Sequence, residues 1–304
     1  MAKISFDRDF EPAYGKAVQV SPLVRRLTCN NPSAFTFTGT GSYIVGTGNV
    51  AVIDPGPDDD QHLEAILAAV DGETVSHIII THTHRDHSPL AARLQALTGA
   101  KTYGYGPHGA GRRARAIAAG DVQLDASGDM KFDPDVNVRN GDVIEGTGWR
   151  LEALFTPGHC SNHLAFGLPE ENALFCGDHV MAWSTSVIAP PDGNMADYFA
   201  SLDRLMQRSD ETYWPGHGPA KQDPLPFVRA FKTHRRMREE AIFKRLKLGD
   251  RTIMEVVRAV YADVDQRLHP AAAMSTLAHV EHLIEQERVA TDGDLTLSAE
   301  YRVK

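Results

Sequence analysis

The chain has 304 residues, 42% of them hydrophobic and 23% charged, with a formal net charge of -9 at pH 7. That length and apolar content can bury a full core and leave room for a large domain plus a smaller module, while the acidic balance excludes a surface that is basic throughout, the footprint of a dedicated nucleic-acid binder. The opening MAKISFDRDFEPAYG has no apolar leader and nowhere do about 18 apolar residues run together, so an unexported, cytoplasmic protein that spans no membrane is expected.

GSYIVGTGNVAVIDPG, residues 41–56, reads as two strands around a tight turn, because glycine and asparagine supply the positive φ that hairpin turns need. DDDQHLEAILAAV follows as a helix whose first aspartates can accept its free N–H groups. VSHIII is a strand, THTHRDH a loop, and a helix is expected from about Ser88 through PLAARLQAL, with Pro89 tolerated in its first turn. KTYGYG is a short strand before a Gly- and Arg-rich stretch. VRNGDVIEGTGWRLEALFTPGH holds two strands, and HLAFGLPEENALFCGDH is a hairpin turning at LPEEN. NMADYFASLDRLMQR has helical spacing, and ETYWPGHG is a strand running into a loop. Strand meanders punctuated by helices make the class α/β with a mixed arrangement of sheets.

After PGHGPAKQDPLPF the composition changes. Four prolines between Pro215 and Pro226 mark a boundary, which divides the chain into domains at 1–222 and 223–304. Three helical stretches follow, VRAFKTHRRMREEAIFKRLKL, TIMEVVRAVYADV and AAAMSTLAHVEHLIEQERV, and then an Asp-Gly pair between short β-prone runs. Three helices with a terminal hairpin suggest a winged-helix-like module.

The chemistry concentrates in THTHRDH. A lone histidine such as His62, His77 or His108 is ordinarily a hydrogen-bonded or surface side chain. His82, His84, Asp86 and His87 within six positions are another matter, since crowded imidazoles and a carboxylate want a cation. Three further signatures each follow an apolar run: His159 after LEALF, Asp178 after NALF and His217 after ETYW. If those runs are neighbouring strands, seven ligand-type side chains meet at one rim. Imidazole and carboxylate without thiolate suit zinc first, with iron or manganese as alternatives, and zinc prefers about four ligands. Seven groups exceed one ion's needs, so two metals sharing a carboxylate are expected. Cys29, Cys160 and Cys176 show no CxxC spacing and read as reduced thiols.

Other signals are weaker. GYGPHG, residues 104–109, fits a dinucleotide fingerprint but has a proline inside it. His279 and His282 share a helix face without a third partner and read as an exposed or packing pair. RRAR at 112–115 and FKTHRRMREEAIFKRLKLGDR could line a path for a phosphate backbone, although Arg and Lys mixed with Glu also make ordinary solvated helices.

THTHRDH, TPGH, GD and PGHG in this order resemble the metallo-β-lactamase superfamily over roughly residues 15 to 220. The resemblance implies an αββα sandwich. It also implies one metal on His82, His84 and His159, a second on Asp86, His87 and His217, and Asp178 with a hydroxide bridging them. Asp54 in IDPG matches an early Asp-x-Gly strand end that supports the site from behind. TPGHCSNHLAF, EENALFCGD, PGHGP and HRRMREEAIFKRL are similar to the β-lactamase-like protein 2 type group, which carries a winged-helix-like tail. That group implies a metal-dependent hydrolase, with a ribonuclease on single-stranded RNA as one known activity. Two departures stand out: DHSP where many members have Asp-His before glycines, and Cys160 where serine or threonine is common.

Two zinc ions would lower the pKa of bound water toward about 7 and clamp the attacked group. A metal-bound hydroxide hydrolase of an ester, thioester, lactone or phosphodiester is therefore expected. Asp86 and Asp178 would orient the nucleophile or carry its proton, and His163 would contact the substrate or its oxyanion, or else lie behind the ligands. A small (thio)ester or lactone and single-stranded RNA stand as the candidate substrates. A non-catalytic binding or regulatory protein on the same fold is the reading from another class.

Overall fold

The computed structural model describes residues 4–113 and 127–304. β1 (Val18–Ser21), β2 (Val24–Thr28), β3 (Gly41–Val45) and β4 (Asn49–Ile53) run as an antiparallel meander. β5 (Thr74–Ile79), β6 (Lys101–Gly104) and β7 (Val136–Asn137) then add in parallel, each beside the last. Parallel neighbours need crossovers, and α1 (Asp60–Ala69) and α2 (Ala91–Thr98) supply the first two. The second sheet contains β8 (Val143–Gly146), β9 (Trp149–Phe155), β10 (Leu164–Leu168), β11 (Ala173–Gly177), β12 (Thr212–Pro215) and β13 (Lys221–Gln222). It is antiparallel except between β11 and β12, which α3 (Met195–Leu205) connects.

Strand periodicity sorts side chains into layers. Ala51 and Ile53 of β4 face Leu164, Phe166, Ala173 and Phe175 of the other sheet in the central core. Val50 and Val52 point the other way onto Leu63 and Ile66 of α1 and Leu94 of α2. Across the molecule, Ala165, Leu174 and Cys176 point outward onto Tyr198 and Leu202 of α3. Helix, sheet, sheet, helix: the architecture is the expected αββα sandwich. Every residue of β3, β10 and β11 is buried, which is why those strands read as unbroken apolar runs rather than alternating ones.

The C-terminal part is α4 (Pro224–Lys247), α5 (Ile253–Val260) and α6 (His269–Glu285) with the antiparallel pair β14 (Val289–Ala290) and β15 (Arg302–Val303). The expected boundary at 222/223 falls where α4 begins, with Pro224 in its first turn. The core does not break there. Phe227, Val228 and Phe231 pack with α3 against the second sheet, whereas Ile242, Phe243 and Leu246 pack with α5 and α6, so one helix belongs to both cores.

Three local expectations need comment. α2 starts at Ala91 rather than Ser88, because the Ser88 hydroxyl donates to Asp129 at 2.7 Å and the chain turns before the helix opens. GYGPHG lies at the end of β6 in a turn and opens no helix over 105–113. Arg115 of the RRAR segment lies outside the described residues. Beside it Arg112 bonds Asp192 and Arg113 bonds Asp197, and on α4 Lys232 bonds Asp203 and Arg245 bonds Asp250. Among the described residues, no helix is long and apolar enough to cross a membrane.

Candidate metal centre

The carboxyl ends of five strands deliver the polar cluster. Asp54 follows β4, His82 to His87 follow β5, His159 follows β9, Asp178 follows β11 and His217 follows β12. β4 with β5 and β11 with β12 are parallel pairs, and β9 runs the same way as β11, so all five ends fall on one rim.

The side chains converge in two groups. Nδ1 of His84 lies 3.0 Å from Nε2 of His82 and 3.0 Å from Nε2 of His159. Nε2 of His217 lies 3.2 Å from Asp86 Oδ2, and Nε2 of His87 lies 3.6 Å from the same oxygen. Asp178 stands between the groups: one oxygen is 3.6 Å from His159 Nε2 and 3.2 Å from His217 Nε2, and the other is 3.6 Å from His87 Nε2. His82, His84 and His159 form one candidate cation cluster, and Asp86, His87 and His217 another.

What lies behind the rings decides which nitrogen carries the proton. His159 Nδ1 donates to the Val187 carbonyl at 2.6 Å, and His217 Nδ1 to the Gly39 carbonyl at 3.2 Å. His87 Nδ1 donates to Asp54 Oδ2 at 2.9 Å. Thr81 donates its hydroxyl hydrogen to Asp54 at 2.6 Å, so the 2.9 Å contact between Thr81 and His82 Nδ1 is donated by the imidazole. Four Nε2 atoms therefore point inward. His87 Nε2 and Asp178 Oδ1 are buried without a hydrogen-bond partner among the described residues. Buried acceptors left open in this way are costly unless a cation completes them, and the donor set fits a divalent metal of the zinc type. Gly216 keeps the space clear, since a Cβ there would stand 2.4 Å from Asp178 Oδ1 and 2.7 Å from His87 Cε1.

The two groups differ electrostatically. Burial and the surrounding imidazoles hold His82 well below the ordinary histidine range, and burial with His159 pushes His84 down to about 4. Burial opposes charge on His87 too, but Asp86, Asp178 and Asp54 outweigh it and hold that ring well above the ordinary value. His217 is likewise pushed up to about 9, with Asp178 and Asp86 overcoming burial. Burial works upward on Asp86 and Asp178, yet His87 and His217 hold both below the usual carboxylate range. His82 and His84 are held toward the neutral form, whereas His87 and His217 attract positive charge, whether proton or metal.

The family model of the metallo-beta-lactamase superfamily matches residues 36–217, and that of the beta-lactamase associated winged helix domain matches 252–299. The chain belongs to the metallo-β-lactamase superfamily. A beta-lactamase-like protein 2 homolog from Drosophila melanogaster is 27% identical over 281 residues, covering 88% of this chain and 90% of that protein. An atrochrysone carboxyl ACP thioesterase from Aspergillus terreus is 28% identical over 274 residues, covering 85% and 78%. A beta-lactamase domain protein from Burkholderia ambifaria superposes with TM-score 0.79 at 20% identity, covering 97% of this chain and 96% of that one, and shows the shared fold. Superfamily members are generally metal-dependent hydrolases, and this chain is an enzyme of that class.

Of the two roles expected of His163, the geometry favours the one behind the ligand-type residues. His163 is fully buried; Nε2 accepts the Asp178 main-chain N–H at 3.2 Å, and Nδ1 donates to Thr156 at 2.8 Å. With both nitrogens engaged, the ring steadies Asp178 from behind and has no free atom for a substrate. Cys160 is buried with its thiol donating to Asp192 at 2.7 Å, and the same carboxylate accepts from Ser161. His279 and His282 are a packing pair, both donating to Glu239. Sequence reasoning missed Thr81, Gly216, Asp192, Ser186 and the carbonyls of Gly39 and Val187. Thr81 and Gly216 sit directly before ligand histidines and could have been noticed; the carbonyls leave no trace in side-chain identity.

Proposed function

We propose that the chain is a binuclear zinc hydrolase acting on a small ester or thioester. Inward-facing Nε2 atoms on the imidazoles, together with the unpartnered His87 Nε2 and Asp178 Oδ1, carry this reading. His82, His84 and His159 would hold one ion, Asp86, His87 and His217 the other, and Asp178 both. When bound, two divalent cations lower the pKa of water and polarise the bond under attack. Asp86 keeps 27% side-chain exposure against 8% for Asp178, so it is the carboxylate suited to take a proton and hand it to solvent. Asp178 is held rigidly by His163 and Ser186 at its main chain, which suits an orienting role.

The surroundings support an acyl substrate. Phe35 and Met130 are 56% and 70% exposed. They stand on the two loops that bridge to His217 and His84 respectively, giving the rim an apolar character. Arg112 and Arg113 are spent on internal carboxylates and the net charge is -9, which disfavours a polyanionic backbone. The thioesterase among the relatives agrees with an acyl substrate. Metal-loaded protein tested on thioesters, lactones and single-stranded RNA, with His84→Ala as control, decides the matter. Acyl hydrolysis lost on chelation, restored by zinc and absent in His84→Ala is expected. RNA cleavage with those same dependences and no acyl turnover would replace the substrate class. Absence of bound metal together with no turnover would sink the enzyme mechanism.

A further inference from the structure

α4 reaches the metal centre from behind. Arg235, in the middle of that helix, is only 4% exposed. Its Nη2 donates to the Ser186 main-chain carbonyl, its Cζ lies 5.5 Å from the centre of the Tyr198 ring, and Nε has no acceptor among the described residues. Desolvating a guanidinium is expensive and is ordinarily offset by a carboxylate. This one is committed to a carbonyl and a ring.

The carbonyl it holds belongs to the loop after Asp178. Ser186 Oγ lies within hydrogen-bonding reach of the carbonyls of Asp178 at 2.6 Å and His179 at 2.8 Å, and Tyr198 donates to that His179 carbonyl at 2.9 Å. The next residue, Val187, offers the carbonyl that accepts from His159 Nδ1 at 2.6 Å. Two ligand-type residues thus take their orientation from a two-residue stretch that Arg235 pins.

We infer that Arg235 is a positioning residue of the metal centre: through Ser186 and Val187 it aims Asp178 and His159, which makes the first C-terminal helix a working part of the site. The inference rests on the metal reading proposed above. It also assigns the C-terminal module a task, that of completing the centre from behind.

The test compares full-length wild type, Arg235→Met and Arg235→Lys, by zinc titration against a competing chelator and by the visible spectrum of the cobalt-loaded protein. Arg235→Met is expected to bind zinc about 10–100-fold more weakly with an altered cobalt spectrum and unchanged far-UV circular dichroism, as for other groups that orient metal ligands. Arg235→Lys, which keeps a donor for the Ser186 carbonyl, should recover most of that loss. Zinc affinity within twofold of wild type and an unchanged cobalt spectrum in folded Arg235→Met would overturn the proposal. Equal loss in both variants that tracks a lowered melting temperature assigns a packing role and overturns it too. If Arg235→Met does not fold, Ser186→Ala breaks the link to Asp178 while leaving the acceptor of Arg235 in place, and unchanged zinc affinity there refutes the relay. A wild type that binds no metal sinks the metal reading itself; bound metal with indifferent variants sinks only the role of Arg235.

Discussion

Replacing Asp54 by asparagine exchanges one carboxylate oxygen for an amide nitrogen and reverses two hydrogen-bond chains at once. Asp54 Oδ1 accepts the Thr81 N–H at 2.7 Å, while Oδ2 accepts the Thr81 hydroxyl at 2.6 Å and His87 Nδ1 at 2.9 Å. An asparagine keeps its oxygen for the Thr81 N–H and puts its NH2 where Oδ2 stood. His87 Nδ1 then faces a donor and must itself accept, which moves its proton to Nε2. The Thr81 hydroxyl becomes an acceptor toward the introduced amide, so its hydrogen turns to His82 Nδ1, and that ring also places its proton on Nε2. Two imidazoles that offered lone pairs now present N–H groups. Misorienting one ligand costs roughly 10–100-fold in metal affinity, and His82 and His87 serve different ions, so the affinity for each ion should fall roughly 10–100-fold, or about 1.4–2.7 kcal/mol. Backbone strain does not confound the result, because Asp54 has φ 49° and asparagine tolerates that left-handed region. Zinc affinity of full-length D54N is to be measured by chelator competition, with the metal-free melting temperature as a folding control. Affinity within threefold of wild type in a folded variant would refute the tautomer argument.

Other outcomes follow from the same geometry. Gly216→Ala puts a Cβ 2.4 Å from Asp178 Oδ1 and 2.7 Å from His87 Cε1, so zinc binding should fall at least about tenfold while circular dichroism stays native; titration checks both. His163→Ala leaves the Asp178 N–H and the Thr156 hydroxyl without partners, at about 1–3 kcal/mol for each buried group. Its kcat should fall with KM unchanged, whereas a raised KM with intact metal binding would restore the substrate-contact role. The metal-free protein should lose stability between pH 6.5 and about 9. His217 is raised in the fold, so its protonated contribution is complete below the unfolded value and disappears as pH passes the folded one. Zinc competes with that proton, and its affinity should climb over the same window in titrations at stepped pH. A fragment ending at 222 removes Phe227, Val228 and Phe231 from the face of the second sheet, and it should aggregate or fail to melt cooperatively in calorimetry.

The candidate ligand residues are legible in the chain because each follows an apolar run, and a run buried on both faces announces both the strand and the place where it stops. Crowded imidazoles need little context to be read as a cation site, and the order of four motifs is enough to recognise the superfamily. The C-terminal helices and hairpin are likewise visible in apolar spacing and an Asp-Gly turn. Sequence leaves two roles open for His163 because its direction is set by Thr156 and the Asp178 main chain, neither of which sequence places beside it.

Tertiary structure decided the rest, and the reason lies in hydrogen-bond direction. A histidine in sequence is a ligand type; whether it offers Nδ1 or Nε2 depends on the atom behind it, and here three of those atoms are main-chain carbonyls or a carboxylate brought from another strand. His159 turns on the carbonyl of Val187, His217 on that of Gly39 and His87 on Asp54, at separations of 28, 178 and 33 residues. A change of composition suggests a division at 222/223, yet packing runs α4 through both cores and carries Arg235 to the back of the candidate metal centre. Residue identity chose the chemistry of this protein. Only the fold chose which lone pairs face each other.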